Sequence, residues 1–100
     1  MKKDIHNESV QRLLAAILSL KNLDECYAFF EDICTVNELL SVAQRFQVGE
    51  MLLNKKTYQE ISRTTGASTT TISRVNRLLN DGNDGIEMAH ERIKKEEIEQ

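Results

Sequence analysis

Apolar residues recur at helical spacing along almost the whole chain, and no long strand-like alternation interrupts them. From Ile5 to Leu20, the residues Val10, Leu13, Leu14, Ile17 and Leu18 share one face, which predicts an amphipathic helix. Asn22, with Glu25 three residues on, predicts a capped start for a second helix. That helix runs to about Ile33 and buries Leu23, Tyr27, Phe30 and Ile33. Thr35 with Glu38 opens a third, longer helix reaching about Asn54. Its apolar residues, among them Val36, Leu39, Leu40, Val42, Phe46, Val48, Met51 and Leu52, cover more than one face. Such coverage predicts burial on two sides, by the chain's own core and by a second subunit.

The next stretch, about 57–79, carries a mechanism in its residues. Tyr58 to Leu79 reads as two short amphipathic helices joined by a tight turn at Gly66, where glycine takes a positive φ without steric cost. Thr57, with Glu60 completing a capping box, starts the first of these helices, and Ser68 caps the second. Ile61 anchors the first. Ala67, Ile72 and Val75, with Leu78 or Leu79 beyond, point inward from the second, and small Ser62 and Ala67 let the two cross closely. Ser68, Thr69, Thr70, Ser73, Arg74 and Arg77 remain outward. This is the pattern of a helix-turn-helix whose second helix enters the DNA major groove.

Hydroxyls at the start of the second helix can reach base edges or phosphates, and threonine methyls can touch a thymine methyl. Arg74 and Arg77 can bridge phosphates or read guanine, and Gln59 is placed to meet the backbone or an adenine edge. A run of threonines is poor helix material. Its presence inside a helix points to surface chemistry rather than stability. The plainer reading is a helical hairpin with a solvated Ser/Thr face; the combined spacing of Ile61, Gly66, Ile72 and Val75 favours DNA.

Asn80-Asp81-Gly82-Asn83-Asp84-Gly85 is the clearest breaker. It lacks the downstream glutamate and the spacing of an EF-hand, so a turn is expected and no metal. Ile86 to about Glu97 then reads as a last helix with a thin apolar stripe of Ile86, Met88, Ala89 and Ile93, which must dock on the body of the protein or on a partner. With 100 residues and no proline, the expectation is one all-α domain of six helices. Nothing approaches a membrane span, and no signal peptide follows Met1, so the chain is expected in the cytoplasm without a membrane partner. Cys26 and Cys34 read as small buried hydrophobes in a reducing compartment, and neither they nor His6 and His90 form a zinc pattern.

Charge becomes informative once it is divided. The net charge of −3 looks wrong for a DNA-binding protein. Residues 45–79, however, hold six basic side chains (Arg45, Lys55, Lys56, Arg63, Arg74, Arg77) against Glu50 and Glu60, a local +4. The flanks are acidic, at −3 before and −4 after. Positive charge concentrated on the motif is an electrostatic footprint for phosphates.

With the motif placed as the fourth and fifth of six helices, the sequence resembles the tryptophan repressor superfamily, and within it the YerC/YecD branch of small Gram-positive proteins. The carrying residues on the long helix are Thr35-Val36-Asn37-Glu38-Leu39, Ala43-Gln44-Arg45-Phe46 and Met51-Leu52-Leu53. In the reading head they are Tyr58-Gln59-Glu60-Ile61, Gly66-Ala67-Ser68 and Thr71-Ile72-Ser73-Arg74-Val75-Asn76-Arg77. The resemblance implies an intertwined homodimer whose first, third and last helices build a shared core. Two recognition helices would then face successive major grooves of a palindromic operator. It also matches Arg45 and Arg74 to two arginines that sandwich tryptophan in the repressor. Val75 stands where the repressor has glycine, and Leu78 where it has a small polar residue. Both are expected to fill the slot, so free tryptophan is expected not to bind, and a different small-molecule effector is left open. Arg45 and Arg74 have the alternative role of touching phosphate or a surface carboxylate.

The leading function is therefore a sequence-specific DNA-binding transcriptional regulator, a repressor acting as a homodimer on double-stranded DNA. The alternative is a helical protein-interaction adaptor that binds no DNA, suggested by the acidic flanks and the apolar coverage of the long helix. An enzyme is not expected: neither histidine has a sequence partner resembling a base or metal set, and no glycine loop cradles phosphate.

Overall fold

In the computed structural model, which describes residues 2–99, capping side chains punctuate an all-helical chain. The helices are α1 (Lys2–Ile5), α2 (Glu8–Leu18), α3 (Leu23–Ile33), α4 (Val36–Leu53), α5 (Tyr58–Thr65), α6 (Thr69–Asp81) and α7 (Gly85–Glu99). The six expected helices are thus present among the described residues, preceded by the single turn α1. Each expected N-cap side chain accepts from an N–H that the helix itself cannot satisfy, although at Thr57 only the threonine half of the expected capping box forms. Asn22 Oδ1 accepts from Glu25 N at 2.9 Å, and Glu25 reaches back to Lys21 N. Thr35 and Glu38 cap reciprocally, at 3.1 and 2.8 Å. The first helix departs from expectation. Asn7 Oδ1 accepts from Val10 N at 2.9 Å and its amide donates to Asp4 O, so the helix starts at Glu8 and Ile5 falls outside it.

The chain forms two compact units, one up to Leu39 and one from Leu40 on. Helices α2 and α3 of the first unit contain no buried residue. Leu18 is 86% exposed and Leu23 69%, and Tyr27 and Ile33 are also more than half exposed. Burial of Leu23, Tyr27 and Ile33, expected from periodicity, is therefore not achieved; Phe30 is half-buried. The cysteines are half-buried and unbridged rather than buried. The physical reason is that two short helices have no third element of their own unit to close over their apolar faces. Between them runs an open groove of about 600 Å³ lined by Leu13, Ala16, Phe29 and Ile33, with Arg12 and Ser19 at its polar part.

The second unit has a core. Val48, Ile61, Ala67, Ile72 and Val75 are buried, and Met51, Leu52 and Ile86 pack against them. Helix α4 changes character along its length: Val36, Leu40 and Val42 are exposed, whereas Val48 and Gly49 are buried. At Gly49 the approach of neighbouring helices is close. A Cβ there would lie 2.8 Å from Ile86 Cγ2 on α7 and 3.6 Å from Val75 Cγ1 on α6. Helix α4 ends with Lys55 at a φ of 64°, its N–H donating to Leu52 O and that of Lys56 to Met51 O, both at 3.0 Å. Lysine thus holds a left-handed position usually given to glycine.

At an open helix position Gly→Ala gains about 1 kcal/mol from propensity. At Gly49 the added methyl must displace a β-branched side chain, which costs about 1–3 kcal/mol. Gly49→Ala is therefore expected to lower stability in urea melts; a gain near 1 kcal/mol would show that the three helices are not in close contact there.

Candidate nucleic-acid interface

Helices α5 and α6 are joined by a three-residue connection held by local hydrogen bonds. Thr57 Oγ1 accepts from Glu60 N at 3.1 Å and starts α5. Thr65 Oγ1 donates back to Ile61 O at 2.7 Å and accepts from Ala67 N at 3.0 Å. Gly66 follows with a φ of 75°, and its N–H donates to Ser62 O at 2.8 Å. Ser62 is exposed, so its part in the turn is its carbonyl rather than its small side chain. Ser68 Oγ then accepts from Thr71 N and lies 3.1 Å from Thr71 Oγ1, capping α6. Ile61, Ala67, Ile72 and Val75 bury the inner faces of both helices. One tie comes from outside the motif: Gln44 Nε2 on α4 donates to Thr65 O at 3.0 Å, satisfying a carbonyl that the end of α5 leaves open.

This framework leaves a polar face outward. Ser68, Thr69, Thr70, Arg74 and Arg77 are exposed along α6, Gln59 is exposed near the start of α5, and Ser73 is half-buried. Ser68 already spends its oxygen on the cap, so its remaining capacity is smaller than that of Thr69 and Thr70. All six basic residues of the central segment, Arg45, Lys55, Lys56, Arg63, Arg74 and Arg77, are exposed. None of them forms an ion pair among the described residues. Their charge is therefore uncompensated by side-chain contacts and free to act on an external anion. Lys55 and Lys56 contributed only charge to the sequence reading; their place is the turn just before α5.

Arg45 and Arg74 are brought to one cleft. It has a volume of about 310 Å³ and is lined by Ser41, Gln44 and Arg45 of α4 and by Thr71, Arg74, Val75 and Leu78 of α6. Val75 is buried in the wall toward Gly49, and Leu78 is half exposed. The two apolar side chains narrow the cleft without closing it, and most of its lining is polar.

Comparison with known proteins gives concordant results. A sequence model of the family described as Trp repressor protein matches residues 8–94. Protein YerC of Bacillus subtilis (strain 168) is 53% identical over 95 residues, covering 95% of this chain and 91% of that protein. A TrpR-like protein from Eubacterium eligens ATCC 27750, solved by crystallography, superposes with a TM-score of 0.89 at 55% identity. That match covers 92% of this chain and 95% of the other. A Trp repressor candidate from Staphylococcus aureus superposes with a TM-score of 0.88 at 46% identity, over 92% of both chains.

The cap on α6 provides a local test. Ser68→Ala removes the acceptor for Thr71 N and is expected to cost about 1 kcal/mol in denaturant melts, while Ser68→Asp keeps it. Equal losses in the two variants would mean that the serine oxygen does not hold the start of α6.

Proposed function

The chain belongs to the Trp repressor protein family, and from that premise we propose that it is a sequence-specific DNA-binding transcriptional regulator. It acts in the cytoplasm as a repressor, an intertwined homodimer on a palindromic operator. The observation that carries the DNA reading is that the segment bearing the outward hydroxyl face of α6 also carries six exposed cations, none of them in an ion pair among the described residues. Cations neutralise phosphates and fix register, and hydroxyls at the start of a helix in the major groove meet base edges. In this reading Thr69, Thr70 and Ser73 face bases. Gln59 meets the backbone or an adenine edge, Ser68 a base edge or phosphate, Arg74 and Arg77 phosphate or guanine, and Arg45 phosphate. Acidic flanks suppress indiscriminate binding to DNA.

Dimerisation is supported by what one chain leaves uncovered. Leu13, Leu14, Leu18, Leu23, Val36 and Leu40 are all exposed, and Met88 and Ile93 of α7 join them. A fully covered leucine or valine contributes about 1.5–3 kcal/mol. Even partial covering of these side chains in both copies yields on the order of 10 kcal/mol, enough to offset the cost of association.

Free tryptophan is not the effector in this proposal. Val75 and Leu78 place branched side chains on the cleft wall where the family's repressor has glycine and a small polar residue. Arg45 and Arg74 are then available to phosphate.

DNA affinity is expected to fall linearly in log–log terms with salt, and Arg77→Ala to reduce that slope by about 1. Affinity independent of salt, or a slope unmoved by Arg77→Ala, contradicts the interface. Sedimentation is expected to give twice the chain mass of 11.5 kDa. In calorimetry, tryptophan is expected to give no heat of binding; a micromolar site overturns the exclusion.

A further inference from the structure

One part-buried polar pair lies apart from the reading head and serves none of the contacts described so far. His90 of α7 is buried, and its Nδ1 lies 2.7 Å from Glu50 Oε2 of α4. A carboxylate can only accept, so the imidazole Nδ1–H donates. Forty residues separate the partners. His90 stands one helical turn beyond Ile86, so both lie on the same face of α7. Glu50 directly follows Gly49. Helix α7 is therefore held on α4 at two adjacent points, Ile86 against Gly49 and His90 on Glu50.

The first of those points is shared. The bare Cα of Gly49 admits Ile86, and Val75 of the recognition helix lies beside the same point, 3.6 Å from where a Cβ would stand. Any shift of α7 across α4 moves Ile86 within a gap too narrow for one more carbon, and Val75 is the neighbour that must respond. Hydrophobic contact alone tolerates sliding, because it is not directional. A hydrogen bond of 2.7 Å from a buried imidazole does not, because its strength depends on distance and angle.

We propose that His90 and Glu50 are positioning residues for DNA reading: their hydrogen bond fixes the register of α7 on α4 and, through Ile86, Gly49 and Val75, the angle of α6. This rests on the DNA-binding function proposed above. Removing the bond loosens α6 without touching any residue that faces DNA. Specific recognition, which needs several side chains in place at once, is then lost, while binding through phosphates persists.

The test uses the full-length protein, a duplex selected from random DNA and a scrambled duplex of the same composition. His90→Leu keeps the site apolar, and the side chain of Glu50, 32% exposed, can turn to water. This variant is expected to lose roughly tenfold in affinity for the selected duplex. Affinity for the scrambled duplex at low salt stays the same. Without DNA, amide exchange at Ile72 and Val75 quickens while that of α3 is unchanged. Glu50→Gln, which retains an acceptor oxygen, keeps both the affinity ratio and the exchange pattern of the native protein. A His90→Leu protein that melts earlier yet keeps the affinity ratio and α6 exchange assigns the pair to stability alone and overturns the proposal. Should His90→Leu fail to fold, Glu50→Ala is read by the same two measurements. If the native protein prefers no duplex, it is the DNA-binding reading that fails; exchange at α6 then decides the positional claim by itself.

Discussion

Three helices of the second unit meet at Gly49, and the absence of a side chain there allows α7 to come so close. Val75 of α6 and Ile86 of α7 both reach the glycine. The buried residues Val48, Ile61, Ala67 and Ile72 complete the cluster. Close-packed interiors behave as jigsaws rather than as oil. The orientation of α6 is consequently set by shape at this point, and the exposed residues of α6 are carried wherever that shape puts them. The turn at Gly66 and the Gln44 bond to Thr65 O act on the other end of the same element. Recognition by a rigid face requires both ends to be held.

The two units differ in how far a single chain can complete them. The second has buried apolar residues and a satisfied polar turn. The first is made of helices with good caps and no buried side chain. Caps decide where a helix starts, but burial of an amphipathic face supplies most of its stability in a protein. Good local signals thus fix the helices of the first unit while their apolar faces stay uncovered. The distribution of charge follows the same division of labour: basic residues sit on the self-sufficient unit's motif and acidic ones on its flanks.

Much of this was legible in residue order. Asn22, Thr35, Thr57 and Ser68 announce helix starts because capping is a contact over three residues, and Gly66 announces a left-handed turn for the same local reason. The inward set Ile61, Ala67, Ile72 and Val75 follows from helical period. The helix expected from Ile5 starts instead at Glu8, because the side chain of Asn7 caps it there. Leu23, Tyr27 and Ile33 have the period of core residues and are exposed, since period shows which face is apolar and not what covers it. The bond between His90 and Glu50 could not be read at all, because nothing local links residues on α4 and α7. Gly49 was equally silent. A glycine inside a helix signals a close approach only when the neighbours are known. Lys55 looked like surface charge, and its left-handed backbone appears only in the structure.

The central claim is that two copies of α6, held in fixed register, read DNA as a symmetric pair. Selection from random duplexes by the purified protein tests it most directly. Enrichment of a palindrome whose half-sites are centred about one helical turn apart, roughly 10 base pairs, is the expected result. Recovery of no enriched sequence, or of one without two-fold symmetry, contradicts it.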